Sequence, residues 1–193
     1  MKQLIRLIIG LLLIAYPFII YFGLSLFTLR YLIIILGFIF VLRLFLMNWL
    51  NQKAQFTLSS MMIILMVVSG LMLCLFALIF DSHYWILLYP FFVNVLLFLI
   101  FLYSFIFPPT MIERFASVID KQPFPKEAIT YMRKVTLVWM VFFIINGLIA
   151  IVTALFTSMK IWTLYNGLIA YILIGLIFIV EYMIRLNVKR KLS

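Results

Sequence analysis

The stretch Phe107–Lys134, FPPTMIERFASVIDKQPFPKEAITYMRK, is the longest polar interruption in an otherwise apolar chain, and the rest of the sequence is placed relative to it. Pro108 and Pro109 carry no amide proton and restrict the residue before each of them, so the apolar run ahead must end there as a helix. Thr110-Met111-Ile112-Glu113 has the capping-box spacing, in which hydroxyl and carboxylate each satisfy an orphan backbone donor at a new helix start. A short amphipathic helix is expected next. Met111, Ile112, Phe115, Val118 and Ile119 recur at three- and four-residue steps, while Glu113, Arg114, Ser117, Asp120 and Lys121 take the other side. Such a helix lies along a membrane surface, here from Met111 to about Asp120 with Phe115 and Ile119 buried. Pro123-Phe124-Pro125 ends it, and Pro125 suits the first position of a helix running through Tyr131, Arg133 and Lys134 into apolar sequence.

Outside this stretch the composition leaves one broad class. Of 193 residues 68% are hydrophobic and 10% charged, with a mean hydropathy of +1.32; soluble domains carry roughly a quarter charged residues. The expected fold class is therefore all-α, a polytopic α-helical membrane protein. A net charge of +10 would point to nucleic acid in a soluble protein. Here the basic residues sit between apolar runs, the pattern of topology signals, and nucleic acid is excluded as a partner.

A bilayer core of roughly 30 Å needs about 20 apolar residues in a helix. Leu58–Phe80, Tyr84–Phe107, Val135–Met159 and Ile161–Val180 meet that without a charge. Ahead of them, Leu7–Phe27 is uncharged, with a kink expected at Pro17. Its basic start, Lys2 and Arg6, resembles a signal peptide, but Tyr21-Phe22-Gly23 follows where small cleavage-site residues would stand, so it is read as a span. A further segment from about Leu26 to Met47 carries Arg30 and Arg43, about 20 Å apart along a helix, so that each can snorkel to its nearer surface. Six transmembrane helices plus the short interfacial helix follow. If the Arg30–Arg43 segment is re-entrant instead, five remain and the termini lie on opposite sides.

Six spans place both termini in the cytoplasm and gather every basic residue except Arg30 and Lys160 on the inner side, a strong positive-inside bias. The expected organisation is four N-terminal spans over residues 1–107, a cytoplasmic linker over 108–134, and a C-terminal hairpin with basic tail over 135–193.

Chemistry-bearing motifs are sparse. Cys74 is the sole cysteine and lies in an apolar run, which rules out a disulfide framework. His83, in Asp81-Ser82-His83, lacks the further ligands a metal site needs, and no metal or cofactor is expected. There is no GxSxG, HExxH, P-loop or CxxC, so no catalytic residue is assigned and a non-enzyme is favoured.

Two constellations stand out. Asn146-Gly147-Leu148-Ile149-Ala150 recurs as Asn166-Gly167-Leu168-Ile169-Ala170 in the next span. Amides within hydrocarbon need partners, and Gly and Ala let backbones approach, so Asn146 and Asn166 are read as interhelical packing groups or as a polar lining. They differ in depth by roughly 6 Å and are not expected to bond each other. At the inner boundary, Glu181 lies about 30 Å below the start of its span, level with Arg133 and Lys134. Arg185 is one turn on, and Glu113-Arg114 opens the surface helix nearby. These six form a candidate head-group or partner site, with Glu181 ionised among the cations, since Arg matches phosphate and carboxylate bidentately.

FPPTMIERFA, YMRKVTLVWMVFFIINGLIA and WTLYNGLIAYILIGLIFIVEYMIR resemble, over about Phe107–Arg185, the C-terminal half of a family of small bacterial inner-membrane proteins of unassigned activity. These are encoded with aryl-polyene and related fatty-acid-like biosynthesis genes. The resemblance implies a role in making, holding or exporting a polyene lipid beside acyl-carrier and ketosynthase partners, and it carries over no catalytic residue. The leading expectation is an accessory protein whose basic cytoplasmic face docks acidic acyl carrier protein. A lipid translocator, resting on the Asn pair and on assembly into a homo-oligomer, is the alternative. An acyl or glycosyl transferase using Glu113 or Glu181 comes third.

Overall fold

The structure, a computed structural model, describes residues 15–50, 58–119 and 124–192, and every regular element among them is helical. In chain order these are α1 (Tyr16–Leu26), α2 (Leu29–Leu50), α3 (Leu58–Ile79), α4 (Tyr84–Leu87) and α5 (Tyr89–Ile106), then α6 (Met111–Ile119), α7 (Lys126–Phe156) and α8 (Met159–Leu164). A π-helical segment (Tyr165–Ile169) joins α8 to α9 (Ala170–Leu192). Four stretches are long and apolar enough to cross a bilayer: Met61–Ile79, Tyr84–Ile106, Lys126–Phe156 and Met159–Arg185. Residues 1–14, which include the first eight positions of the expected Leu7–Phe27 span, lie outside the described residues, as do Lys53, Asp120 and Lys121.

Pro17 stands in the first turn of α1, where its missing N–H belongs to the unsatisfied helix start. The extended backbone at Phe27 closes α1, and its N–H bonds the Gly23 carbonyl at 2.8 Å. The expected Tyr84–Phe107 span is interrupted. Pro90 cannot donate to the carbonyl of Ile86 four residues back, and the chain turns at Leu88 between α4 and α5. Two side chains take up the carbonyls there: Tyr16 OH donates to Ile86 O at 2.8 Å and Trp162 Nε1 to Leu87 O at 3.1 Å. Both rings are buried, and these bonds tie α1 and α8 to the α4–α5 junction. An aromatic triangle extends the same core: Tyr16 lies 4.7 Å from Tyr89, and Tyr89 5.2 Å from Phe40 of α2. A Cβ on Gly70 of α3 would stand 2.4 Å from the Phe40 ring, so only glycine admits it there.

A second cluster joins α5, α6 and α7 through Phe101, Met111, Val135, Trp139 and Phe143; α5 and α7 make the most extensive helix pairing in the fold. The capping box forms. Thr110 N reaches Glu113 Oε1 at 3.2 Å, the Thr110 hydroxyl donates to the same oxygen at 2.6 Å, and Glu113 N lies 3.4 Å from Thr110 Oγ1. Met111 N donates to the buried Ser104 hydroxyl at 3.0 Å. The side chain that sinks into the protein is thus Met111, at the helix start, whereas Phe115 and Val118 remain exposed at the molecular surface. That surface is densely apolar elsewhere too, from Phe22 and Phe38 through Leu99 to Phe178 and Ile184, a distribution compatible with a membrane protein.

Candidate functional site

Both copies of the repeated pentapeptide face inward at the α5–α7–π junction, and they do so alike. Asn146, Gly147 and Ala150 are buried with Leu148 outside; Asn166, Gly167 and Ala170 are buried with Leu168 outside. Asn146 Nδ2 donates to Asn94 Oδ1 of α5 at 3.0 Å, and Tyr165 OH donates to Asn146 Oδ1 at 2.9 Å. Asn94 Nδ2 in turn donates to Pro90 O at 2.8 Å. Asn166 bonds elsewhere: its Nδ2 reaches Thr153 Oγ1 at 3.2 Å and Trp162 O at 2.9 Å. Asn146 and Asn166 therefore belong to two separate hydrogen-bond sets, linked through the backbone that carries Tyr165 beside Asn166 and through α7, which carries both Asn146 and Thr153.

Asn94 is the member of this network that the sequence reading did not single out. Its signal was present: a lone amide in an uncharged apolar run, four residues after a proline. The glycines explain how the helices come close enough. A Cβ on Gly147 would meet Asn94 Cβ at 3.2 Å, and one on Gly167 would meet the Phe18 ring at 2.9 Å.

Around these amides lies a cavity of about 230 Å³ between α1, α3, α5, α7 and the start of α9. The amides Asn94, Asn146 and Asn166 line it together with the aromatic side chains of Tyr16, Tyr89, Phe142, Phe143 and Tyr171. None of its lining residues is charged.

The six boundary residues do not converge. Glu181 is held by its own helix and by α7: Arg185 Nε lies 3.7 Å from Glu181 Oε1, and Tyr131 OH sits 3.1 Å from the Glu181 carbonyl oxygen and 3.4 Å from Oε1. Arg133 turns to the other side of α7, its guanidinium 4.1 Å over the Phe105 ring, a cation–π contact that an apolar boundary strengthens. Arg114 Nε donates to Pro109 O at 2.9 Å, and Glu113 is occupied by the Thr110 cap. Spacing put all six at one level but could not set their azimuth. Adjacent helical positions point about 100° apart, which separates Arg133 from Lys134 and sends only the latter toward α9.

Lys134, Tyr131 and Glu181 instead mark one end of an open groove of about 550 Å³ between α7 and α9, whose remaining walls are Val135, Val138, Leu176, Ile177, Val180 and Ile184. His83 stacks on Tyr84 with ring centroids 4.5 Å apart, and among the described residues no group of three or more His, Cys, Asp or Glu side chains comes together as a metal site.

Fold and sites define a class: a protein all-helical over its described residues, with four stretches among them able to cross a bilayer, compatible with a membrane protein, carrying a buried amide network and an amphipathic groove. Comparison with protein-family models, with curated proteins and with solved structures returns no match, so the sites are read from their own chemistry.

Proposed function

We propose that this is an integral membrane accessory of lipid assembly, which holds an amphipathic lipid of polyene or fatty-acyl character in the α7–α9 groove. The observation that supports this reading is the groove itself. Its walls are branched aliphatic side chains, and its only polar groups, Tyr131, Lys134 and Glu181, stand together at one end. An acyl chain along the walls loses nothing to desolvation, while Lys134 and Tyr131 offer donors to a phosphate or carboxylate head. α9 leaves room for such a guest, since only 11% of the apolar window of Met159–Arg185 is buried, against 39% for Lys126–Phe156. Acyl carrier protein, as an acidic partner, would dock on the basic linker and tail. The reading is completed by six crossings of a bacterial inner membrane with both termini cytoplasmic, which a reporter fused after Ser193 tests: periplasmic activity refutes it.

Lipid mass spectrometry on the detergent-extracted protein tests the central point. Stoichiometric lipid is expected in the native chain and strong depletion in Val138→Trp, which fills the groove from a lipid-exposed position. Equal retention in both overturns the groove as the holding site.

A translocator reading has one observation in its favour, the π-helical segment at the base of the loosely packed α9, since such bulges recur at moving functional elements. The transferase reading has none: Glu113 is committed to its cap and Glu181 to Arg185 and Tyr131.

A further inference from the structure

The cavity at the amide network is separate from the groove and calls for a different guest. No charged side chain lines it; Arg43, which acts electrostatically on Tyr89, is a cation, so a positively charged ligand is disfavoured and an anionic one would lack a direct ion-pair partner in the lining. Its donors are unevenly used. The amide groups of Asn94, Asn146 and Asn166 are engaged with protein acceptors, and Tyr16 donates to Ile86 O. The hydroxyls of Tyr89 and Tyr171, both on residues lining the cavity, have no hydrogen-bond partner among the described residues.

Two phenolic donors without a partner among the described residues, set among flat aromatic faces, select a guest by shape and by polarity. It must be a planar ring, it must be uncharged, and it must carry acceptor oxygens. The volume fits as well: a cavity of roughly 150 Å³ accommodates benzene, so about 230 Å³ admits one substituted six-membered ring and excludes a lipid's paired chains. Tyr171 is partly exposed at the molecular surface while also lining the cavity, which gives a ring entry from the hydrocarbon and leaves an attached tail outside.

We propose that this cavity binds the uncharged, carbonyl-bearing ring of a membrane-soluble quinone, with Tyr89 and Tyr171 donating to its oxygens and the tail leaving beside Tyr171. No electron transfer is part of the proposal; the site recognises the oxidised ring by its acceptors.

The test titrates a decyl-substituted benzoquinone into the detergent-solubilised full chain and follows quenching of tryptophan fluorescence, Trp162 being bonded at the adjoining α4–α5 junction. Saturable binding with one site per chain is expected. Tyr171→Phe removes a hydroxyl that bonds nothing among the described residues, so the fold is retained; affinity should fall about tenfold, the equivalent of one hydrogen bond. Ala170→Phe, which fills the cavity from a buried lining position, should abolish saturation. The groove variant Val138→Trp should bind quinone as the native chain does, so that failure of the lipid groove and failure of this site are told apart. Linear, non-saturating partition in the native chain overturns the proposal, as does unchanged affinity in Tyr171→Phe. Equal or tighter binding of the corresponding dihydroquinone overturns the assignment of an acceptor ligand.

Discussion

Asn146–Ala150 and Asn166–Ala170 are the same five residues in adjoining helices, and they take different backbones. The first copy continues the regular α-helix of α7; the second falls almost wholly inside the π-helical segment. In both, Asn, Gly and Ala face the protein and Leu faces out, so the identity of the buried face belongs to the pentapeptide. The backbone form belongs to the neighbours. Gly147 lies against the Cβ of Asn94, an atom fixed to the α5 backbone, whereas Gly167 lies against the outer edge of the Phe18 ring, on a side chain 40% exposed. One copy is a rigid helix–helix contact and the other a contact that can give.

The largest expected effect separates those two glycines. Gly147→Val must push α5 away and should cost about 2–3 kcal/mol, in the range for overpacking a tight contact. Gly167→Val needs only a Phe18 rotation and should cost about 1 kcal/mol or less. Thermal unfolding in detergent measures both; the reverse order would mean that the π segment, not the α5–α7 contact, is the rigid element.

Next come the amides. Asn146→Leu removes bonds to both Asn94 and Tyr165 and leaves Asn94 Oδ1 without its donor, for an expected loss of about 1–2 kcal/mol. Asn166→Leu loses contacts to Thr153 and to a carbonyl of its own helix, and should cost about half as much. The double variant of Asn94 and Asn146 to Leu should be less damaging than the sum of the singles, since neither amide is then left alone. Additive losses would show that the 3.0 Å contact between them contributes nothing.

The smallest effect is expected at the inner boundary. Glu181→Gln gives up one 3.7 Å pair with an Arg185 side chain 52% exposed and keeps an acceptor for Tyr131, so stability should change by less than about 0.5 kcal/mol. Exchanging Glu181 with Arg133 should rescue nothing, because Arg133 sits over Phe105 on the other side of α7. A loss above about 1 kcal/mol in Glu181→Gln would restore the idea of cations gathered round one carboxylate.

Much of the architecture was legible because it follows from strong one-dimensional signals. Pro108-Pro109 stops α5, Thr110 and Glu113 start α6, and the uncharged runs form long helices, each set by sterics, capping or burial within a few residues. The break at Pro90 carried its own signal, yet hydropathy alone bridged Tyr84 to Phe107. The break takes Ile86 O and Leu87 O out of regular helical bonding; Tyr16 and Trp162, seventy and seventy-five positions away in opposite directions, serve those carbonyls.

What the sequence by itself determined is therefore the helical content, the apolar class, the capped helix after the double proline and the inward face of both pentapeptides, since each depends on neighbours three or four residues off. What only the tertiary structure decided is which partner each polar group meets: Asn94 for Asn146, Thr153 for Asn166, Phe105 for Arg133, Arg185 for Glu181. Depth along a helix follows from counting residues at 1.5 Å each, but azimuth and helix order do not. Those are fixed by packing, where a Cβ added to Gly147 would stand 3.2 Å from Asn94 Cβ and a single residue's offset turns a side chain about 100° away.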